Sequence, residues 1–321
     1  MKRALYFSLF LCSFLPSLAA QSLRLGIIGT DSSHAVEFTR LLNNASEQDH
    51  IPGATIVAAY RGGSPRLALS RDRIEKFTKQ LEQNSIPFVA SISDLCTRVD
   101  GLLLLSVDPE LRPAEFRQAI ACNKPVFVDK PFAPSLNDAL QMAKLARDHH
   151  TAWFSASALR YAATDLPHDA VSAEVWGPGD LGENYRLDLA WYGIHSIEAL
   201  YGIFGPGVQS VARAHTAQTD VLTMIWRDGR TGTVRLIRPD EPFGAEVFQP
   251  AHPPVQKTLS ASYAPLVRAI VTFMQTGQSP VPAAETLEIF AVMDASQRSK
   301  QENGRLIMLP TTIVGFTKVA P

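Results

Sequence analysis

The sequence contains little of what marks several specialised protein classes. It has only 3 cysteines in 321 residues, too few for a disulfide scaffold, and we expect Cys96 and Cys122 to be buried free thiols. The formal net charge is -1, and no basic patch indicates a nucleic-acid partner. No pair of histidines has the spacing of a metal site. With 46% hydrophobic residues, the chain can form one large or two ordinary domains with substantial cores.

The first 20 residues predict a signal peptide. A basic start, Lys2-Arg3, precedes an apolar run over residues 4–15 and small residues that end at Ala20. This run is too short to span a membrane permanently. We therefore expect residues 1–20 to be cleaved and the mature chain to be periplasmic or secreted, with no stable membrane span.

The stretch from Leu23 to Glu37 predicts the opening of a Rossmann unit. An apolar run typical of a buried parallel strand is followed by a glycine turn, polar helix-capping residues and helical spacing. The helix N-terminus would supply N–H groups for a phosphate. The glycine fingerprint is incomplete, and Asp31 brings a carboxylate near the pyrophosphate unless it points away or caps the helix. The candidate cofactor-binding residues in this turn are Gly26, Gly29, Thr30, Asp31 and Ser32.

Short apolar runs alternate with helical segments as far as residue 156, which predicts a doubly wound parallel sheet. We expect its strands at 23–28, 54–60, 88–90, 101–107, 125–128 and 152–155. Strands joined by tight turns follow, and we expect them at 171–176, 208–214, 221–226 and 232–237. They predict a C-terminal α/β domain with an open, mostly antiparallel sheet. The expected division is a Rossmann-type nucleotide-binding domain at 22–156 and a substrate and oligomerisation domain at 157–321.

Three further residues lie where a dinucleotide would bind at the carboxyl edge of this sheet. Arg61 ends the second strand, where NAD enzymes carry an acidic residue for the ribose. An arginine there favours NADP, because a guanidinium can bind a 2′-phosphate through two hydrogen bonds. Ser106 and Asp129 end the fourth and fifth strands and complete the predicted cofactor-binding set.

Lys130 and His195 are the candidate catalytic residues. Lys130 follows the fifth strand, where its ammonium can hold a substrate hydroxyl and share in proton transfer. Asp129 could orient that ammonium. His195 begins an apolar helix and suits acid–base work near neutral pH, with Glu198 one turn later to hold its other nitrogen. We expect Lys130 and His195 to face one cleft, although a surface ion pair and a helix cap are the plain alternatives.

Two of these segments resemble motifs of one family. Asp129-Lys130-Pro131 resembles the Glu-Lys-Pro signature of the glucose-fructose oxidoreductase and inositol dehydrogenase (Gfo/Idh/MocA) family, and Gly193-x-His195 resembles its Asp-x-Gly-x-His segment. Residues 277–288 are similar to its closing helices. The resemblance implies NAD(P)-dependent redox chemistry on a sugar or polyol, with Lys130 and His195 at the reacting hydroxyl.

The chain departs from this family pattern at several positions. Trp191 replaces the family's aspartate, so it cannot transfer a proton but can stack on a sugar. Arg112 stands where the family often has a histidine. The predicted substrate-binding residues are Arg160, Tyr161, Trp191 and Tyr192.

The expected cofactor is NAD or NADP, with NADP favoured, or none. We predict that a cofactor binds tightly or not at all, because an exported chain folds where free nucleotide is scarce and the glycine loop is incomplete. No metal is expected.

Two other functions stay open at this stage. The same fold could carry a carbohydrate lyase, hydratase or hydrolase that uses Lys130 and His195 with a recycled cofactor or none. It could also be a non-catalytic carbohydrate-binding protein. In each case the expected partner is a small carbohydrate, and the exposed C-terminal sheet suggests a homodimer or homotetramer.

Overall fold

The computed structural model describes residues 22–182, 184–260 and 262–310. The predicted signal peptide lies outside these residues. The strands are β1 (Leu23–Ile28), β2 (Ala54–Tyr60), β3 (Phe88–Val89), β4 (Gly101–Leu104), β5 (Val126–Asp129), β6 (Trp153–Ala156), β7 (Ser172–Pro178), β8 (Val208–His215), β9 (Thr219–Trp226), β10 (Thr231–Ile237), β11 (Gly244–Phe248), β12 (Val255–Thr258) and β13 (Ile307–Met308). The α-helices are α1 (Ser33–Asn43), α2 (Ala68–Gln83), α3 (Ile92–Cys96), α4 (Arg112–Ile120), α5 (Leu136–Asp148), α6 (Gly193–Phe204), α7 (Ala264–Thr276) and α8 (Ala283–Gln301).

The first six strands form one parallel sheet in the order β3-β2-β1-β4-β5-β6. The central strands are apolar throughout because helices cover both faces of the sheet. The strand order reverses beside β1, where β4 pairs on the side opposite β2, and ligands bind at such a crevice in open α/β sheets. The predicted Rossmann-type sheet is confirmed.

The second sheet has seven strands in the order β12-β11-β7-β10-β9-β8-β13. All of its pairs are antiparallel except β7 with β10, so the expectation of an open, mostly antiparallel sheet is confirmed. Three of its strands, β11, β12 and β13, were not predicted. The strand β12 is mostly polar and exposed and β13 has two residues, so neither has a readable alternation.

Two helices connect these sheets and position the candidate site. The helix α6 packs on β7 and β10, and its N-terminus points toward the carboxyl end of β5 through the contacts of Lys130 described below. The helix α8 packs against α5, β6 and β8 and is buried along most of its length. Among the described residues, no helix is long and apolar enough to cross a membrane.

The expectation of free thiols is wrong, because Cys96 and Cys122 form a disulfide. Cys96 ends α3 and Cys122 follows α4, and their Cα atoms are 5.6 Å apart. Both helices cover one face of the parallel sheet, and this packing brings the two cysteines together across a sequence separation of 26 residues. Two predicted helices flanking one strand could have indicated this pair.

Candidate active site

Lys130 lies at the carboxyl end of β5 and points toward the segment that precedes α6. Its Nζ donates a hydrogen bond to the carbonyl oxygen of Trp191 at 3.1 Å and lies 5.0 Å from the centre of the indole ring. Burial, with the nearby Arg112 charge, lowers the pKa of Lys130 from 10.5 to about 8. The ammonium and the free amine are therefore both accessible near neutral pH, as a proton-transfer group requires.

His195 lies on the first turn of α6, four residues after Trp191. Its Nδ1 is 2.7 Å from Ser157 Oγ, and Nε2 has no hydrogen-bond partner within the described part of the chain. Burial lowers the pKa of His195 well below 6.5, and the charge of Lys130 lowers it further. The imidazole is therefore neutral at pH 7, with Nε2 available to a ligand. Glu198 does not hold this histidine, contrary to expectation, because it forms an ion pair with Arg160.

A second histidine, His34 on the first turn of α1, lies near enough to His195 for its charge to act on that ring. His34 Nδ1 donates to Asp129 Oδ2 at 2.6 Å, and its ring packs edge-on against Tyr263 at 4.7 Å. Although burial opposes the charge, the neighbouring His34 helps lower the pKa of Asp129. The other carboxylate oxygen of Asp129 accepts the backbone N–H of Lys130, so Asp129 fixes the backbone rather than the ammonium.

His34 and Ser157 were not predicted as site residues from the sequence. His34 follows the glycine turn by one helical turn, so its place in the motif was a usable signal. Ser157 comes from the end of β6, and its pairing with His195 depends on the packing of distant segments.

Two of the predicted substrate-binding residues lie beside Lys130 and His195. The Trp191 ring packs against Tyr185 and Tyr192 and lines a cavity of about 270 Å³ beside Leu67 and Leu181. Tyr192 also contacts the His195 ring, with ring centres 5.9 Å apart. An aromatic wall next to polar groups is the arrangement by which proteins bind sugar faces.

The other two predicted substrate-binding residues lie toward the far end of α6. Arg160 binds Glu198 and Glu285, both at 2.6 Å. With Tyr161 it lines a separate cavity of about 420 Å³ beside the C-terminus of α6. The Tyr161 hydroxyl is buried and has no hydrogen-bond partner among the described residues. The structure therefore does not bring Arg160 and Tyr161 to Trp191 and Tyr192.

The candidate cofactor residues of the first turn lie in and beside the crevice formed by loops 29–32, 61–67 and 105–108, here called the dinucleotide crevice. Gly29 makes the turn at φ +87°, and a Cβ there would lie 2.6 Å from the backbone nitrogen of Ser106. Gly26 lies inside β1 instead, where its missing side chain makes room for α3. Ser32, not Asp31, caps α1, since its Oγ accepts the N–H of His34 at 3.1 Å.

Asp31 lies across the end of β1, fully buried. Its Oδ2 accepts a hydrogen bond from Ser70 Oγ at 2.6 Å, at the start of α2, and its Oδ1 accepts the N–H of Val107 at 3.1 Å, after β4. The carboxylate therefore neither caps α1 nor points out of the crevice, since it lies between α2 and the loop after β4.

The remaining predicted cofactor residues are bound to other protein groups. The Arg61 guanidinium pairs with Glu75 on α2, and its carbonyl oxygen accepts the N–H of Thr30 at 2.9 Å. Ser106 Oγ donates to Glu115 at 2.7 Å, and burial raises the pKa of this glutamate. The Ser106 carbonyl oxygen accepts from Arg112, which is fully buried.

A dinucleotide fits the fold of this crevice but not the positions of its side chains. Gly29 and the N-terminus of α1 suit a phosphate. However, the space above β1 holds Asp31, and Gly62 approaches Gly29 so closely that a Cβ on Gly62 would lie 3.2 Å from the Cα of Gly29. No group of three metal-binding side chains occurs among the described residues.

Comparison with known proteins gives a consistent picture of the fold. Residues 23–156 match the model of the Gfo/Idh/MocA family, described as an oxidoreductase family with an NAD-binding Rossmann fold. No curated protein matches the chain significantly.

Solved structures match along most of the chain at low identity. GenD2 of gentamicin A biosynthesis, solved with NAD, is 13% identical at a TM-score of 0.70 over 90% of this chain and 97% of its own. A probable dehydrogenase from Thermotoga maritima is 15% identical at 0.69, over 89% and 98%. The myo-inositol dehydrogenase from Lactobacillus casei, solved with NAD(H) and myo-inositol, is 14% identical at 0.67, over 90% and 97%. At these identities the likeness shows the fold.

Proposed function

We propose that this chain, which belongs through residues 23–156 to the Gfo/Idh/MocA oxidoreductase family, is an oxidoreductase that acts on a hydroxyl group of a sugar or polyol. The observation that carries the proposal is the pair of proton-transfer groups at the segment 191–195. Lys130 is bound to the carbonyl oxygen of Trp191, and the neutral imidazole of His195 begins α6 four residues later.

Lys130 and His195 have different roles at the reacting hydroxyl. Lys130, with a pKa of about 8, can hold the substrate oxygen as an ammonium and accept its proton as an amine. Ser157 fixes the ring of His195, so that Nε2 is available as the second hydrogen-bonding group. Trp191 takes the place of the family's aspartate by positioning Lys130 through its carbonyl oxygen and its ring face.

The proposed cofactor is NAD or NADP, which accepts a hydride in such reactions. Arg61 favours NADP only if its guanidinium leaves Glu75, so the preference is a proposal that titration of both nucleotides would test. Equal or tighter binding of NAD would remove the argument.

The Asp31 carboxylate in the dinucleotide crevice favours a second candidate function. A carbohydrate lyase, hydratase or hydrolase would use the same Lys130 and His195 to move protons without exchanging a nucleotide. Asp31 at the end of β1 is the specific observation that supports this alternative.

Export to the periplasm or outside the cell is proposed for the mature chain. The pattern of residues 1–20 supports it, and so does the Cys96–Cys122 disulfide, because such bonds persist in oxidising compartments. We also propose a carbohydrate as the partner and assembly as a homodimer or homotetramer.

The decisive experiment assays the mature protein on a panel of sugars and polyols that includes myo-inositol. Reduction of NAD or NADP is followed by absorbance, and parallel samples without nucleotide are analysed for new products. We expect nucleotide reduction, and a loss of about 100-fold or more in Lys130→Met. Lys144→Met, an exposed lysine on α5, is the matched control and should be unaffected. Full activity in Lys130→Met would disprove the assignment, whereas product formed without nucleotide would establish the second function.

A further inference from the structure

The dinucleotide crevice is crossed by a network of hydrogen bonds that begins at Asp31. One oxygen of this carboxylate binds the hydroxyl of Ser70 on the β2 side, and the other binds the N–H of Val107 on the β4 side. Asp31 is fully buried, so other protein groups cover it. A single side chain thus joins the start of α2 to the loop after β4, on the two sides of the dinucleotide crevice.

Asp31 occupies a position in the turn where dinucleotide-binding proteins carry a glycine. Gly29 is the turn glycine with positive φ, and counting the fingerprint G-x-G-x-x-G from it puts Asp31 at the second glycine and His34 at the third. The second glycine is the one that lets a pyrophosphate approach the backbone. Here a carboxylate occupies that space and would repel the phosphate charge.

A second carboxylate extends the network across the mouth of the crevice. Asp108 accepts Ser64 Oγ at 2.6 Å and the guanidinium of Arg66 at 2.5 Å. Burial works against its charge, but the bonds from Arg66 and Ser64 outweigh this and lower the pKa of Asp108. From the C-terminal sheet's side, Tyr185 donates its hydroxyl to the carbonyl oxygen of Val107 at 3.1 Å.

We propose that Asp31 acts as an internal substitute for the cofactor phosphate and keeps the dinucleotide crevice closed. Binding of NAD or NADP then requires the bonds of Asp31 to Ser70 and Val107 to break first. The apparent affinity is reduced by the fraction of molecules that are open, so the unmodified protein binds exchangeable nucleotide weakly. The Val107 N–H that Asp31 occupies becomes available to a phosphate oxygen once the carboxylate is removed.

The test is a direct titration of the mature protein with NAD and with NADP by isothermal calorimetry. Asp31→Ala removes the carboxylate, and Ser70→Ala removes one of its bonds while leaving the charge in place. Asp72→Ala is the matched control, since Asp72 is an exposed acidic residue on α2 outside the network. We expect Asp31→Ala to bind one or both nucleotides at least about tenfold more tightly, the effect of one charge-assisted hydrogen bond, and Ser70→Ala to bind them severalfold more tightly.

The nucleotide affinities of the three variants decide whether the proposal holds. Tighter binding in Asp31→Ala with no change in Asp72→Ala supports the proposal. Equal or weaker binding in Asp31→Ala, at an unchanged melting temperature, overturns it, and so does an equal gain in the Asp72→Ala control. If Asp31→Ala is poorly folded, Ser70→Ala decides, and unchanged affinity in that variant counts against the proposal.

This inference rests on the proposed function only for the choice of nucleotide as probe. The titration measures binding without any sugar, whereas the proposed function is tested by sugar turnover and by Lys130→Met. A chain that turns over sugar without nucleotide would contradict the oxidoreductase proposal while leaving the role of Asp31 intact.

Discussion

At the scale of single residues, the contacts of Lys130 set the chemistry of the candidate site. Its ammonium is held by the carbonyl oxygen and the ring of Trp191, both of which favour the charged form, while burial favours the amine. Burial wins, so the pKa of Lys130 falls to about 8. A residue that binds as a cation and reacts as a base is thereby produced, although the charge of the adjacent Asp129 opposes the shift.

The titration of Lys130 gives the first prediction. Oxidation of a hydroxyl needs the free amine, so activity should rise with pH through about 8 and level off above it. Lys130→Arg keeps the positive charge but cannot release its proton, so it should lose most activity and this rise. The measurement is kcat/KM against pH for both proteins. A profile that is flat between pH 7 and 9 in the unmodified enzyme would contradict the role.

Two buried tyrosines near α6 make a matched pair for the second prediction. The Tyr201 hydroxyl donates to Glu288 at 2.9 Å, whereas the Tyr161 hydroxyl has no partner in the described structure. Tyr201→Phe should lower the free energy of unfolding by about 1–3 kcal/mol, because it removes a partner from a buried carboxylate. Tyr161→Phe should change it by less than about 0.5 kcal/mol, because no hydrogen bond is lost.

Urea unfolding of both variants beside the unmodified protein measures the difference. A Tyr161→Phe cost as large as that of Tyr201→Phe would mean that the Tyr161 hydroxyl has a partner, such as a bound molecule in the neighbouring cavity.

At the scale of elements, the strands of the parallel sheet could be predicted within a few residues from their apolar runs and glycine turns. The position of Lys130 at the end of β5 followed from the same pattern. The partners within the site could not be predicted, because they come from distant segments. Ser157 rather than Glu198 holds His195, since the side chain of Glu198 is taken by Arg160. Spacing along one helix suggests neighbours but not which of them is already bound.

The disulfide between α3 and the end of α4 gives the third prediction, at the scale of these elements. It closes a loop of 26 residues, and its loss should lower the free energy of unfolding by about 2–4 kcal/mol. Urea unfolding with and without a reductant measures this change. The double variant Cys96→Ala/Cys122→Ala should unfold at the lower stability and show no response to reductant. Equal stability of the oxidised and reduced proteins would argue against a structural role.

At the scale of the whole molecule, the loop between β7 and α6 contacts the carboxyl end of the parallel sheet. Arg186, in the loop before α6, pairs with Glu110 at 2.5 Å and with Asp138 at 3.3 Å. Together with Tyr185 on Val107, these contacts place the loop over the dinucleotide crevice. The dinucleotide crevice and the site around Lys130 are therefore linked by this loop, because Tyr185 contacts both Val107 and the ring of Trp191.

The compartment in which this molecule folds gives the last prediction. Residues 1–20 have the pattern of a cleaved leader, and the disulfide requires an oxidising environment. The full chain expressed in a bacterium should be recovered from the periplasm with its N-terminus at Ala20 or Gln21 and no free thiols. A chain that starts at Gln21 should stay in the cytoplasm, with Cys96 and Cys122 both reactive to a thiol reagent after denaturation, and should have the lower stability of the reduced protein. Mass spectrometry and thiol counting distinguish these states. Recovery of the full chain from the cytoplasm with Met1 still in place would contradict export.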